Sequence, residues 1–531
     1  MKLEIRGGHW SGVCIVCGLT LLLIGLSSCA GTKPPDPTSR LAPPRDVPAS
    51  CSEFPGESLT PAALALASRE TWTARFRRND HGAKRALQNL YSSTGGPLWL
   101  THGRPTRQAL AILEVLQGAG AYGLEPADYD AARLSTLATA MVASHPSGIG
   151  RTLYGAGRSA CGDPGEAQFD LDLSTAAIAL VSDLHYGRID PRVAGFELGA
   201  PRPDDLDLAS AVRTLSMTDN VAGALAAFGP QFEHYRLLAQ ALVHYRKLAA
   251  ANPTDAMLTA RVRKIDLTLE RWRWLPAFQT PPIIVNIPEF RLFAFRQTAD
   301  RAADILQMDV IVGRAFPRTR TPVFAADMKS VIFRPYWYVP RSIIVREMLP
   351  KIQANPGYLT AQHLEIVSVG PRAAVLPVAP DSIAALAAGT ARLRQQPGPD
   401  NALGLIKFDL PNFHDVYLHS TPAQQLFLKA RRAFSHGCIR VSDPVALAVY
   451  VLRDTPGNWT PAKIEAAMRG TQTRRVLLAK PIRVMILYGT VLAKEDGEVL
   501  FFDDLYGQDR QLERLLGLPP LERATAVITA R

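Results

Sequence analysis

The chain has 531 residues, of which 47% are apolar and 20% charged, with a net charge of +11 at neutral pH. That length admits two or three domains, and that balance excludes a disordered or fibrous chain. The basic residues are scattered instead of forming one dense run, which argues against nucleic acid and for attraction to an anionic polymer or membrane surface.

At the N-terminus, Lys2 and Arg6 precede an apolar run, Val13 to Leu26, too short and too abruptly ended for a membrane span. Residues 1–28 therefore read as a signal peptide. The run closes on Leu26-Ser27-Ser28-Cys29, which resembles a bacterial lipobox. On that resemblance Cys29 is lipidated and begins the mature chain, and Ala30 matches the outer-membrane sorting pattern of Gram-negative lipoproteins. The expected location is the periplasm, with a lipid anchor in the outer membrane. Residues 29–58 then form a tether: six prolines between Cys29 and Ser50, in a polar background, cannot bury a core.

Of six cysteines, Cys14 and Cys17 leave with the signal peptide and Cys29 takes lipid. An oxidising compartment would let Cys51 pair with Cys161, leaving Cys438 as the odd thiol, although connectivity is open at this stage. An unpaired thiol retained in such a compartment is a candidate for chemistry.

Residues 59–276 carry helical spacing, with Ala109, Leu110, Leu113 and Leu116, then Tyr235, Leu238, Leu242 and Tyr245, on three-and-four intervals. Asp170 reads as a cap for a helix beginning at Leu171 and ending near Tyr186, before Pro191. These stripes are core, and the region is a helical scaffold. From about Pro281 the period shifts towards two, with strands expected at Ile283 to Ile287, Phe290 to Phe295, Met308 to Val312 and Val331 to Val339. A polar, Ala-rich interlude over residues 347–401 interrupts them and reads as an inserted lid or cap. Strands resume at Leu403 to Leu410, Val416 to Leu418, Arg475 to Leu478, Ile482 to Leu492 and Val499 to Phe502, with residues 511–531 as a tail. The fold class is α+β, with a mainly β domain over residues 281–510 following the helical scaffold.

The chemistry sits in Tyr417-Leu418-His419-Ser420 and Ser435-His436-Gly437-Cys438-Ile439-Arg440. A thiol is a useful nucleophile only as thiolate, and either His419 or His436 could take its proton. Gly437 leaves room for a substrate carbonyl, and backbone N–H groups near it could line an oxyanion hole. Asp443-Pro444 reads as the cap and first residue of a helix. Arg440, two past the thiol, could meet a substrate carboxylate or pair with Asp443. Tyr417 could share the cleft or pack in the sheet, and Ser435 is a third candidate contact with substrate. His419, His436 and Cys438 are also metal-ligand types, without an evident fourth ligand.

Together these two stretches resemble the signature of the L,D-transpeptidase (YkuD-type) catalytic domain. The resemblance extends through Leu269-Glu270-Arg271-Trp272-Arg273-Trp274-Leu275-Pro276, Asn286-Ile287-Pro288, Val312-Gly313-Arg314, Tyr336-Trp337-Tyr338-Val339-Pro340, Asn401-Ala402-Leu403-Gly404 and Phe501 to Asp504, favouring the YcbB-like branch of Gram-negative bacteria. It implies Cys438 as nucleophile, His419 as base with the Ser420 carbonyl orienting its ring, His436 as a supporting group, no cofactor and no metal. Relatives of that branch usually carry a peptidoglycan-binding module before the Trp-Arg-Trp-Leu-Pro segment, where this chain has only Arg246 to Thr268.

The implied reaction is peptidoglycan cross-linking: Cys438 takes the acyl group of a stem tetrapeptide, D-alanine leaves, and a second stem amine resolves the thioester to a 3-3 link. Water as acceptor would make an L,D-carboxypeptidase, and a protein lysine an anchoring enzyme; a degenerate site would leave a non-catalytic envelope scaffold. The implied partners are peptidoglycan stem peptides, the membrane through the lipid anchor, and other cell-wall synthesis proteins.

Overall fold

The computed structural model describes residues 82–519 and 521, apart from 95, 145–163, 199–205, 277–279, 296–304, 317–318 and 371–372. The signal peptide, Cys29, the tether, Cys51, Cys161 and their expected disulfide lie outside the described residues, as do the start of the helical region and most of the tail beyond residue 519.

Among the described residues, eight α-helices make the N-terminal half: α1 (Ala83–Thr94), α2 (Arg107–Gln117), α3 (Ala131–Ser144), α4 (Pro164–Tyr186), α5 (Leu208–Met217), α6 (Val221–Ala226), α7 (Glu233–Ala251) and α8 (Ala256–Arg273). Side-chain oxygens of Thr106, Asp207, Asn220 and Asp255 cap α2, α5, α6 and α8, taking up N–H groups that a helix start leaves without partners. On α2 the buried stripe is Ala109, Ile112, Leu113 and Leu116, while Leu110 is 45% exposed. A three-and-four spacing started at Ala109 runs through Ile112, so Leu110 falls off the stripe where it was expected.

Asp170 corrects another expectation. Because α4 begins at Pro164, Asp170 lies inside the helix and is fully buried. Its carboxylate works across the bundle instead, accepting the backbone N–H groups of Leu98 (2.9 Å) and Trp99 (2.7 Å) and the Tyr91 hydroxyl (2.6 Å).

The catalytic half is built on a ten-stranded sheet that includes one strand from the scaffold, β1 (Phe196–Glu197). The others are β2 (Ile283–Asn286), β3 (Arg291–Ala294), β4 (Leu306–Gly313), β5 (Val323–Phe333), β9 (Ile406–Asp409), β10 (Leu418–His419), β11 (Ala433–Ser435), β12 (Ile439–Val441) and β13 (Arg474–Leu487); β6 to β8 are the cap strands given below. The order is β9-β10-β12-β4-β3-β2-β13-β5-β1, with β11 beside β4. Since β9 also pairs with β5, the sheet closes into a ring and β1 extends only the first part of β5.

Two expected strands, Arg475 to Leu478 and the start of Ile482 to Leu492, are one strand, β13, with an irregularity between Leu477 and Ile482. Beyond it, β14 (Val491–Ala493) and β15 (Val499–Phe501) form a separate hairpin. Conversely, Val331 to Val339 is broken: Arg334 takes a positive φ of 48°, and Pro335 supplies no N–H to a ladder. The chain after the break enters the cap, a sheet of β6 (Trp337–Tyr338), β8 (Ala391–Gln395) and β7 (Leu364–Ser368) with short helical turns and α9 (Pro380–Ala388). The cap encloses its own apolar cluster, with Val339, Ile352, Ile366, Leu386 and Leu393 among its members.

Three helices complete the catalytic half, α10 (Pro444–Leu452), α11 (Pro461–Arg469) and α12 (Gln508–Leu516). Scaffold and sheet meet at the end of α8, where Trp274 and Leu275 enter the same apolar core as Ile283, Val484 and Leu447. A buried ion pair, Arg271 with Asp509 at 2.6 Å, fixes this junction, and a second, Arg273 with Glu270 at 3.0 Å, lies within the last turns of α8. Glu270 also accepts the backbone N–H groups of Arg188 (2.5 Å) and Ile189 (3.0 Å), so its charge is bound on several sides.

Candidate active site

Strand register assembles the site. Leu418 pairs with Ile439 and His419 with Arg440 in parallel, and Lys407 lies opposite His419 in an antiparallel pair. Alternation sends Phe408, Leu418, Ile439 and Val441 into the core, where all are fully buried, and puts Lys407, His419 and Arg440 side by side on the other face. Tyr417 and Cys438, two residues before His419 and Arg440, share that face.

His419 is buried, and its Nδ1 lies 2.5 Å from the Ser420 carbonyl oxygen. A carbonyl accepts, so Nδ1 carries the proton and Nε2 keeps a basic lone pair. Burial first, then the Arg440 charge, pushes the imidazole down to about 3, against the pull of the Ser420 and Leu403 carbonyls. The resting ring is neutral.

The Cys438 thiol is half-buried and unpaired. The thiol donates to the Asp415 carbonyl oxygen, at 3.6 Å, and not to the His419 ring. Asp415 holds a positive φ of 54° to present that carbonyl. Burial raises the thiol pKa, while the Tyr417 backbone N–H and hydroxyl, and the Lys407 charge, work in the opposite direction by favouring thiolate. The resting pair is thiol and neutral imidazole rather than an ion pair.

Tyr417 is thus in the cleft, with its ring 5.8 Å from that of His419 and Lys407 Nζ 4.1 Å from its centre. The Trp337 side chain, from the cap, hydrogen-bonds the same hydroxyl. His436 turns towards the cap, its Nε2 2.7 Å from Glu347 Oε1. Gly437 has φ +121°, which its lack of a side chain permits, and its N–H donates to the Ser435 hydroxyl at 3.1 Å. That N–H is therefore engaged, and an oxyanion hole would draw on its neighbours. Ser435 Oγ also donates to the Cys438 carbonyl at 2.5 Å, so Ser435 braces the loop instead of lining the cleft. Asp443 caps α10 through Ala446 N (2.9 Å), and Arg440 makes no ion pair with it.

A brace the sequence did not disclose lies under this loop. Thr321 Oγ1 donates to the Gly437 carbonyl (2.8 Å) and accepts from Gly313 N (2.8 Å), while the Tyr506 hydroxyl donates to the Gly313 carbonyl (2.7 Å). A Cβ on Gly313 would come within 2.0 Å of the Thr319 carbonyl oxygen, so only glycine fits there. No signal in the sequence singled out Thr321, Tyr506, Lys407, Asp415 or Glu347 as part of the site; each reaches it through pairings distant in the chain. Among the described residues no group of three or more His, Cys, Asp or Glu side chains is arranged to hold a metal ion.

Comparison with known proteins matches residues 85–242 to a scaffold domain and residues 281–464 to the L,D-transpeptidase catalytic domain. A Haemophilus influenzae protein whose name assigns it, provisionally, to the L,D-transpeptidases is 32% identical over 250 residues, which is 47% of this chain and 49% of that relative. The chain thus spans about half the length of the curated relative it matches. With Cys438 and His419 lying inside the matched region, residues 281–464 belong to the YkuD family of L,D-transpeptidase catalytic domains, set behind a helical scaffold in an α+β chain.

Proposed function

We propose that this protein is a periplasmic peptidoglycan L,D-transpeptidase of the YcbB-like branch, lipid-anchored through Cys29, which forms 3-3 cross-links by cysteine acyl transfer. The observation that carries the reading is the single face on which a recessed thiol, a tautomer-locked imidazole and two cationic side chains meet. Cys438 attacks the carbonyl joining the third and fourth residues of a stem tetrapeptide, giving its proton to Nε2 of His419. Collapse returns that proton to the departing amine, so D-alanine leaves and a thioester remains. The side-chain amine of a second stem attacks the thioester, His419 removes its proton, and the thiol is restored.

A neutral imidazole with so low a pKa is a weak base in the resting protein. Substrate must therefore supply part of the driving force, by displacing the Asp415 carbonyl from the thiol and excluding water. The cap is suited to that exclusion, because Trp337 and Glu347 already contact Tyr417 and His436. The test is mass spectrometry of the full chain and its Cys438→Ala variant, each incubated with disaccharide tetrapeptide. A Cys438-dependent dimer lacking one D-alanine supports cross-linking. Tripeptide alone would make the protein a carboxypeptidase, and no Cys438-dependent product would leave a scaffold.

A further inference from the structure

Glu197 and His414 join the scaffold to the loop behind the thiol. Glu197 belongs to β1, where it lies in register with Phe324 of β5; alternation buries Phe196 and Leu198 on either side of it and leaves its carboxylate outward. There it accepts a hydrogen bond from Nε2–H of His414 at 3.1 Å, across 217 positions of the chain. The His414 ring also packs on Phe324, with centroids 5.0 Å apart. Asn412 closes the loop that carries His414. Its Oδ1 accepts the N–H groups of His414 (2.9 Å) and Val416 (3.2 Å), and its Nδ2 donates to the carbonyls of Leu410 (2.6 Å) and Val416 (2.7 Å). Asp415, between His414 and Val416, is held at φ +54°, a left-handed backbone that a residue with a side chain keeps only where its surroundings impose it. That conformation delivers the Asp415 carbonyl to the Cys438 thiol. A carbonyl oxygen accepts from S–H and repels a thiolate; after burial, the Asp415 carboxylate charge also raises the thiol pKa. Both oxygen groups of Asp415 thus favour the protonated nucleophile.

We infer that Glu197 and His414 are positioning residues through which the scaffold restrains the nucleophile: their bond keeps the Asp415 loop against Cys438, and breaking it frees the thiol to react. This rests on Cys438 as the nucleophile of the acyl transfer and adds a regulation of that site. Neither residue touches the reacting atoms. Each acts through the Asp415 carbonyl, so the thiol stays quiescent while β1 is seated on β5, and a substrate that displaces the carbonyl works against the Glu197–His414 bond.

The test follows alkylation of Cys438 by iodoacetamide in the full chain, read by mass spectrometry of the peptide that carries it; the sulfur displaces iodide and its proton passes to solvent. Glu197→Ala, and His414→Phe, which keeps a ring against Phe324, are each expected to react on the order of threefold faster than wild type, the scale of one partly exposed ion pair. The double variant is expected to be no faster than either single one, since both changes remove the same bond. Glu197→Gln, whose amide oxygen still accepts from Nε2–H, should stay near the wild-type rate. Glu233→Ala, which removes an exposed acid elsewhere in the scaffold, should match wild type. Unchanged or slower alkylation in both single variants, or additive gains in the double variant, overturns the restraint. So does an equal acceleration in Glu197→Gln, which would make the effect one of charge alone. Alkylation through global unfolding climbs steeply with urea below the transition, and a gain that does so also overturns the restraint, because it reports a weakened fold. Because no peptide is turned over, each of these failures is distinguishable from failure of the transpeptidase reading.

Discussion

At the scale of single residues, the Tyr417 hydroxyl and the His419 ring make separable contributions. Tyr417 favours the Cys438 thiolate with its backbone N–H and with its hydroxyl, and only the second is removed by Tyr417→Phe. A hydrogen bond to a charged group is worth about 1.5–3 kcal/mol, so at pH 8 the variant should be alkylated by iodoacetamide roughly ten times more slowly. An unchanged rate would mean the hydroxyl serves the Trp337 contact alone. His419 gives a pH signature of a different kind. Its folded pKa is about 3 against an unfolded value near 6.5. The folded state thus binds fewer protons than the unfolded state between these values, and stability present above pH 6.5 is lost as pH falls towards 3. Urea midpoints measured from pH 7 to pH 4 should drop more steeply for wild type than for His419→Gln. Parallel curves would show that the ring is not held neutral by burial.

The same scale shows how much of the site could be read in advance. Cys438 and His419 lie 19 positions apart inside two short stretches; residue type singles out the thiol and leaves His419 and His436 as candidate bases, and only the family resemblance chooses between them. Lys407 becomes their neighbour only through the register of β9 against β10, and Tyr506 reaches Gly313 across 193 positions. Ser435 was a candidate contact with substrate, yet a small hydroxyl next to backbone donors and acceptors is drawn to those first. Residue type and motif point to the candidate thiol and imidazoles; the groups that brace them depend on the closed ring and were not accessible without it.

Among elements, the β4–β5 connection and the nucleophile loop behave as one piece. Thr321 joins Gly437 to Gly313 with a donated and an accepted bond, both buried. Thr321→Val preserves shape and strands both partners, which should cost about 1–3 kcal/mol in unfolding free energy and slow iodoacetamide alkylation of Cys438 as the loop loosens. A stability loss with unchanged alkylation would separate the brace from the nucleophile. Strand and helix boundaries were legible where local chemistry sets them, as at Asp443 and Pro444 before α10. They were not where tertiary contacts decide: α4 runs through Asp170 because Leu98, Trp99 and Tyr91 give its carboxylate partners that a cap would have supplied.

On the scale of the whole molecule, the folding unit is larger than the segment matched to the catalytic domain. The catalytic-domain match ends at residue 464, but β13 (Arg474–Leu487) lies between β2 and β5 in the sheet order and pairs with both. Trp274 and Leu275 of the scaffold share the same core, and Arg271 is paired with Asp509. A fragment of residues 281–464 should therefore lack a cooperative unfolding transition by near-UV circular dichroism, while residues 82–519 should keep one. A folded short fragment would show that β13 and the scaffold are accessories.

Strand β1 carries a last consequence. One flank of β5 is covered by β9 at Ser330 to Phe333 and by β1 at Val323 and Phe324. Without β1, the first part of that flank would present bare N–H and C=O groups next to apolar side chains, an invitation for another chain to add a strand. Such a flank would be a standing route to self-association. The scaffold, by lending two residues to a sheet it does not otherwise belong to, closes that flank to a strand from a second copy.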